Sequence, residues 1–245
     1  MTVYAIGDIH GHLDLLQAAH TLVEDDRARE GATGAPLIHI GDLVDRGPDS
    51  RGVIDHLVTQ QASDPRLVVL MGNHDRMFAH WVRHGGAPDP SSRTALEYLH
   101  PRFGGQTTLA SYGVDPEAPG ADMVRAAQAA VPETHLAFLE GLPRHVTHDG
   151  CVCVHAGLRP GVALSDQDPA DLIWIRDEFL TSRADHGALI VHGHTPADRV
   201  EHHGNRLNID SGAAFGGPLS AVVIEGRDAF LLTDGGRVPV PRLDA

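Results

Sequence analysis

Val3-Tyr4-Ala5-Ile6-Gly7-Asp8-Ile9-His10-Gly11 runs an apolar stretch of strand length into a glycine, a carboxylate and an imidazole. A short β-rich run closed by glycine reads as a buried strand, which leaves the polar residues on the loop at its carboxyl end. The construction recurs. Leu37-Ile38-His39-Ile40 leads into Gly41-Asp42-Leu43-Val44-Asp45-Arg46-Gly47, and Leu67-Val68-Val69-Leu70-Met71 into Gly72-Asn73-His74-Asp75. Val152-Cys153-Val154 leads into His155-Ala156-Gly157, and Ala188-Leu189-Ile190-Val191 into His192-Gly193-His194-Thr195. Helical spacings lie between the early runs: Leu13, Leu16, His20 and Val23, then Val53, Ile54, Leu57 and Val58. Strand, loop and helix in alternation predict an α/β fold with parallel pairing. Loops at the carboxyl ends of parallel strands converge on one side of a sheet, where ligands bind.

Convergence would gather carboxylates, imidazoles and one amide in a single crevice. That donor set, free of thiolates, suits divalent ions such as Mn²⁺, Fe or Zn²⁺. So many polar groups are costly to bury at strand ends unless a cation compensates them. A coincidental set of Gly-Asp and Gly-Asn turns is the bland alternative, but ordinary turns would not also carry His10, the Asp45-Arg46 pair and His74.

In order and chemistry the five segments resemble the two-metal core of the calcineurin-like metallophosphoesterases, most closely the phosphoprotein phosphatase branch. The resemblance implies that Asp8 and His10 hold one metal, that Asn73, His155 and His194 hold the other, and that Asp42 bridges both. Two ions roughly 3.5 to 4 Å apart lower the pKa of a shared water, the implied nucleophile, and grip the oxygens of an in-line displacement. It further implies His74 as general acid, Asp45 as the carboxylate that fixes its tautomer, and Arg46, Arg176 and Asn73 as phosphate-binding groups. Arg176 has the alternative of a solvated helix-surface residue. Two guanidiniums and two cations suit a dianionic monoester better than a monoanionic diester. The expected activity is therefore metal-dependent hydrolysis of phosphomonoesters, phosphoserine and phosphothreonine in proteins above all, with two divalent ions, Mn²⁺ foremost. Symmetrical hydrolysis of diadenosine tetraphosphate is the alternative within enzymes. A catalytically silent metal-binding interaction module is the alternative outside them, and it would need neither Asp45 nor His74.

Departures sharpen the resemblance. Many phosphodiesterases of the superfamily carry a histidine two residues after the one matching His194, where this chain has Pro196. Eukaryotic protein phosphatases usually read Gly-Asn-His-Glu, where this chain has Asp75. Trp81, Gly104-Gly105-Gln106-Thr107-Thr108-Leu109, Ser111-Tyr112-Gly113 and the segment from Asn208 to Gly217 look like the small bacterial serine/threonine phosphatases and the related symmetrical tetraphosphate hydrolases. The latter typically lack the aspartate matching Asp45.

At 245 residues the chain can bury a large core, and a single domain over 1–245 is expected. Residues 79–141 carry no metal motif and many helix signals, such as Pro132 ahead of Glu133, Leu136, Phe138 and Leu139. That segment reads as a helical cap over the crevice or as a packing insertion. The later runs Leu207-Asn208-Ile209, Ala221-Val222-Val223-Ile224 and Phe230-Leu231-Leu232 predict an antiparallel meander. The implied architecture is two mixed β-sheets packed as a sandwich and flanked by helices. With 42% apolar residues and no apolar run near the roughly 18 residues of a membrane span, no membrane partner is expected. The chain enters its first strand straight from Met1, so the expected compartment is the cytoplasm. Nineteen basic against 33 acidic residues give a formal charge of −14, which repels nucleic acid and extended acidic partners but permits a local positive crevice. Cys151 and Cys153 should share one face of a strand as core thiols, with a Cys-x-Cys metal site as the sharper reading. The histidines outside the motifs, among them His20, His56, His84, His135, His202 and His203, read as surface or helix residues, and His12 and His192 as neighbours of the metal ligands.

Overall fold

The computed structural model describes residues 2–243; Met1 lies outside them. The first strands and helices alternate as β1 (Thr2–Ile6), α1 (Leu13–Glu30), β2 (Leu37–His39), α2 (Ser50–Ser63), β3 (Leu67–Val69) and α3 (Asn73–Arg83). Three further helices follow: α4 (Gly105–Ser111), α5 (Gly120–Ala130) and α6 (Glu133–Gly141). Next come β4 (His145–His148), β5 (Cys151–Val154), the short turns α7 (Asp171–Trp174) and α8 (Asp177–Leu180), β6 (Leu189–His192), β7 (Glu201–His202) and β8 (Arg206–Asn208). The chain closes with β9 (Ala221–Glu225), β10 (Asp228–Thr233) and β11 (Gly236–Pro239).

Two mixed sheets result, ordered β11-β10-β9-β1-β2-β3 and β4-β5-β6-β8-β7. β1, β2 and β3 run parallel, as do β5, β6 and β8. Strand periodicity decides what lies between them. Val3, Ala5, Ile38, Ile40 and Leu70 face Cys151, Cys153, Leu189, Val191 and Leu207 in one inter-sheet core. The alternate residues Tyr4, Ile6, Leu37 and Val69 pack under α1, α2 and α3 in a second core, and Val152, Val154 and Ile190 pack under Leu172, Ile175 and Phe179. Each apolar side chain so buried contributes about 1.5–3 kcal/mol, so a strand slipped by one residue would misplace every one of them. Both cysteines are buried and free, as expected of core thiols.

One expectation fails. The run at Leu207 does not open the meander: β8 joins the second sheet, parallel to β6, and only β9, β10 and β11 pair as an antiparallel meander in the first. No hairpin turn follows Asn208; the Ile209 N–H donates to the His192 carbonyl at 2.8 Å and prolongs the pairing with β6. The helical segment divides in two. Met123 and Ala127 of α5 and Leu136 and Leu139 of α6 join the core beneath α2 and α3, whereas the stretch between α3 and α4 reaches the crevice described below. Among the described residues no helix is long and apolar enough to cross a membrane.

Candidate active site

Each of the five strand-end segments read from the sequence sits just past, or at, the carboxyl end of a parallel strand. The loops after β1 and β2 are zipped together, with the His10 N–H donating to the Asp42 carbonyl and the Gly11 N–H to the Leu43 carbonyl, both at 2.8 Å. The Asp75 carboxylate ties the loops after β2 and β3, accepting from the Leu43 and Gly72 N–H groups at 2.8 Å each. These loops hold strained backbone. His10, Asp42, Asp45, Arg46 and His194 have φ of 45°, 52°, 74°, 70° and 65°, a region that costs a non-glycine residue about 1–3 kcal/mol. Gly72 and Gly193 make room for the carboxylates: a Cβ on the first would collide with Asp42, and one on the second with Asp8.

Asp42 is the hub. Its Oδ2 lies 3.5 Å from His10 Nε2 and 3.9 Å from His74 Nε2, and its Oδ1 lies 3.3 Å from His155 Nε2. Two buried groups could thus hold an ion each, His10 with Asp42 and His74, and Asp42 with His155 and His194. Hydrogen accounting supports cations there. His10 Nδ1 faces the Val44 carbonyl at 2.8 Å and His155 Nδ1 the Ile40 carbonyl at 2.9 Å. A carbonyl only accepts, so each Nδ1 carries the hydrogen. Burial pushes the pKa of His10, His155 and His194 down, so each remaining nitrogen presents a lone pair. The His10 lone pair takes a hydrogen from Arg46, but that of His155 points at oxygen, its Nε2 facing Asn73 Oδ1 at 3.1 Å as well as Asp42. Acceptor facing acceptor is unfavourable unless positive charge lies between. His194 Nε2 and Asp8 Oδ1 are buried without a hydrogen-bond partner. Burial, then the charges of Asp210 and Asp42, push the Asp8 carboxyl well up, a penalty that a bound dication would reverse.

Asp8 stands slightly apart from the two compact groups, its Oδ2 accepting the His194 N–H at 3.1 Å. His74 belongs to one of them through Nε2, while its Nδ1 is committed to Asp45 Oδ2 at 2.7 Å. Arg46 donates to His10 Nε2 at 2.6 Å and His74 Nε2 at 3.1 Å. Arg176 lies between α7 and α8, is no helix-surface residue, and donates to Thr195 Oγ1 at 2.9 Å.

Sequence reasoning missed three residues. Asp210, past the end of β8, is buried beside Asp8, and burial raises its carboxyl to about 6. Tyr98 and Thr108 hold Asp45 from beneath, their hydroxyls each 2.7 Å from Oδ1. Thr108 stands within the stretch Gly104-Gly105-Gln106-Thr107-Thr108-Leu109, but nothing local marks its partner. His135 and His202 are buried rather than superficial; His135 accepts from Tyr112 at 2.8 Å, and His202 donates to the Arg227 carbonyl at 2.8 Å. His192 is buried next to the site against Arg206 at 3.3 Å.

Above this floor opens a crevice of about 1050 Å³. Arg46, Arg93, Arg102, Arg159 and Arg176 line it together with Asp171, Asp177, Glu178 and Asp210; Arg93 and Arg159 are paired with Asp171, whereas Arg46 and Arg176 meet no carboxylate within 4 Å among the described residues. Trp174, Phe103 and Phe215 supply aromatic walls.

A sequence model of the calcineurin-like phosphoesterases matches residues 1–224. The chain belongs to that family. It is 29% identical over 241 residues to serine/threonine-protein phosphatase 1 of Salmonella typhimurium, covering 91% of this chain and 92% of the other. It is 28% identical over 244 residues to the asymmetrical bis(5'-nucleosyl)-tetraphosphatase PrpE of Geobacillus thermodenitrificans, covering 91% and 90%. The cold-active protein-tyrosine phosphatase of Shewanella shares the fold, with a TM-score of 0.60 at 18% identity over 98% of this chain and 80% of that one. As a calcineurin-like phosphoesterase the chain hydrolyses phosphoester bonds. The family works with a dinuclear divalent metal centre, and the His and Asp groups around Asp42 fit one.

Proposed function

We propose that this phosphoesterase acts on phosphomonoesters, foremost phosphoserine and phosphothreonine in proteins. Asp8, His10 and Asp42 would hold one ion, and Asp42, Asn73, His155 and His194 the other, with Mn²⁺ best matched and Fe or Zn²⁺ accepted. Bound there, such ions would activate a water and grip the phosphoryl oxygens. The observation that carries the reading is the placement of Arg46 and Arg176 on the wall of the same crevice as His10 and His194. Two forked cations flanking the ligand carboxylates match the oxygens of a terminal, dianionic phosphoryl group. Asn73 adds an amide at the same floor. With Arg46 turned from Nε2 onto the phosphoryl group, His74 would take up a proton at Nε2 and pass it to the departing alkoxide oxygen while Asp45 holds Nδ1, an arrangement that a silent metal-binding module has no use for. Residues 93–103 of the helical segment would shape access to the crevice.

A second reading, hydrolysis of dinucleoside polyphosphates, is favoured by the volume of the crevice and by its aromatic and arginine-lined walls. The deciding experiment measures kcat/KM for a phosphoserine peptide and for diadenosine tetraphosphate side by side, on metal-stripped protein reconstituted with Mn²⁺, Fe²⁺ or Zn²⁺. Preference for the peptide supports the first reading. Preference for the nucleotide replaces it with the second. Inactivity on every phosphoester in the panel would sink both. Fractionation of cells tests the expected cytoplasmic location.

A further inference from the structure

We propose that Tyr98 and Thr108, from the helical segment, form a clamp that positions Asp45 and through it His74, so that this segment supports the acid from behind without touching the substrate. The inference rests on the reading of His74 as general acid. The geometry leaves little choice of hydrogens. The Asp45 N–H is shared by Thr108 Oγ1 at 2.8 Å and Ser50 Oγ at 3.1 Å, Ser50 can donate to Thr108 Oγ1 at 3.0 Å, and Thr108 gives its one hydrogen to Asp45 Oδ1, 2.7 Å from its Oγ1. The Tyr98 phenol gives its hydrogen to the same oxygen at 2.7 Å. Burial, then the charge of Asp45, push that phenol well up, so it stays a donor. Oδ1 is thus filled by two hydroxyls and Oδ2 alone is left for His74 Nδ1 at 2.7 Å. Each partner contributes a hydrogen and Asp45 accepts them all, which fixes a hydrogen on His74 Nδ1 and turns Nε2 toward the crevice floor, 3.1 Å from Arg46 and 3.9 Å from Asp42 Oδ2.

The clamp also holds strained backbone. Asp45 and Arg46 are consecutive non-glycine residues at positive φ, and the Arg46 N–H donates to the Gly104 carbonyl at 3.3 Å. Two adjacent glycines permit the approach. A Cβ on Gly104 would stand 2.8 Å from the Arg46 backbone nitrogen, and one on Gly105 would stand 2.6 Å from the Tyr98 ring. Asp45 and Thr108 are wholly buried, and Tyr98 is nearly so.

The test uses Tyr98→Phe, Thr108→Val and Thr108→Ser in the full-length, Mn²⁺-loaded protein, with metal content and Tm as controls. Proton donation matters for an alkoxide leaving group and hardly for dinitrophenolate. For a phosphoserine ester, kcat should fall by roughly 10-fold or more in Tyr98→Phe and Thr108→Val, a share of the 10²–10⁴ that a general acid contributes. KM and metal content should hold, the dinitrophenyl phosphate rate should stay within about 2-fold, and Thr108→Ser should keep the wild-type rate on both esters. Independently of turnover, the imidazole N–H proton resonance assigned through its loss in His74→Asn should move or broaden in Tyr98→Phe and Thr108→Val. Equal falls on both esters, or an unmoved resonance, overturn the clamp. A shifted resonance in a protein whose wild type hydrolyses neither ester upholds the clamp and rejects the monoester reading instead.

Discussion

Two groups of histidines lie near the first sheet, and they are wired in opposite ways. In the crevice, His10 and His155 spend Nδ1 on backbone carbonyls and aim Nε2 at Asp42. Between α1, β2 and α2, His39 Nε2 meets His20 Nε2 at 2.8 Å, and His20 Nδ1 meets His56 Nε2 at 3.1 Å. A nitrogen facing a nitrogen can share one hydrogen and be satisfied while neutral. A lone pair facing a carboxylate cannot, and calls for a cation. Eighteen histidines in the sequence therefore say little by themselves; the partner of the second ring nitrogen separates metal chemistry from packing.

The contrast breaks most sharply at Asp42. Asp42→Asn removes the charge shared by both groups, so turnover should fall beyond the roughly 10²–10⁴-fold that loss of a general acid costs. Metal content by mass spectrometry should fall with it; full occupancy in active Asp42→Asn protein would contradict the bridging role. His74→Asn should lower kcat on a phosphoserine ester by about 10²–10⁴-fold while metal content stays at the wild-type level. Unchanged turnover in that variant would remove His74 from the chemistry.

Gly193→Ala probes the same region from its backbone. Its Cβ would push the Asp8 carboxylate, so metal affinity measured by competition with a chelator should weaken by about 10- to 100-fold, the scale for disturbed ligand support. The smallest effect belongs to the other histidine group. Burial, then the charges of His56 and Arg27, lower His20 to about 4, and burial lowers His39 and His56 as well. Unfolded, these imidazoles take up protons near pH 6.5. Their stabilising contribution is thus complete above about pH 6.5 and is lost as pH falls toward 4. Replacing His20 by Gln should flatten the fall of Tm across that window by a few degrees, on the order of 1 kcal/mol. Thermal melts at stepped pH with parallel slopes for wild type and variant would exclude a titrating role for the chain.

Much of the molecule was legible early because strand ends and their loops are local. The apolar run Val3-Tyr4-Ala5-Ile6 is β1, and Leu37-Ile38-His39 is β2. The helical spacing from Leu13 is α1, and Glu133, directly after Pro132, opens α6. Each motif then follows its strand at the sheet's carboxyl edge. The placement of Leu207 was not legible, since an apolar strand fits the inner face of either sheet equally well. Only pairing with β6 put it in the second.

The residue types at the strand ends, read from the chain alone, already determined an α/β fold and a divalent-metal donor set, because side-chain donors and strand periodicity are properties of short segments, and the resemblance those segments carry implied the phosphoester chemistry. Tertiary structure alone decided which oxygen of Asp42 faces which imidazole, and that Tyr98, Thr108 and Asp210 come to the site. Those contacts join residues far apart in the chain. Their hydrogen-bond geometry arises only when the sheets, helices and strained loops pack together.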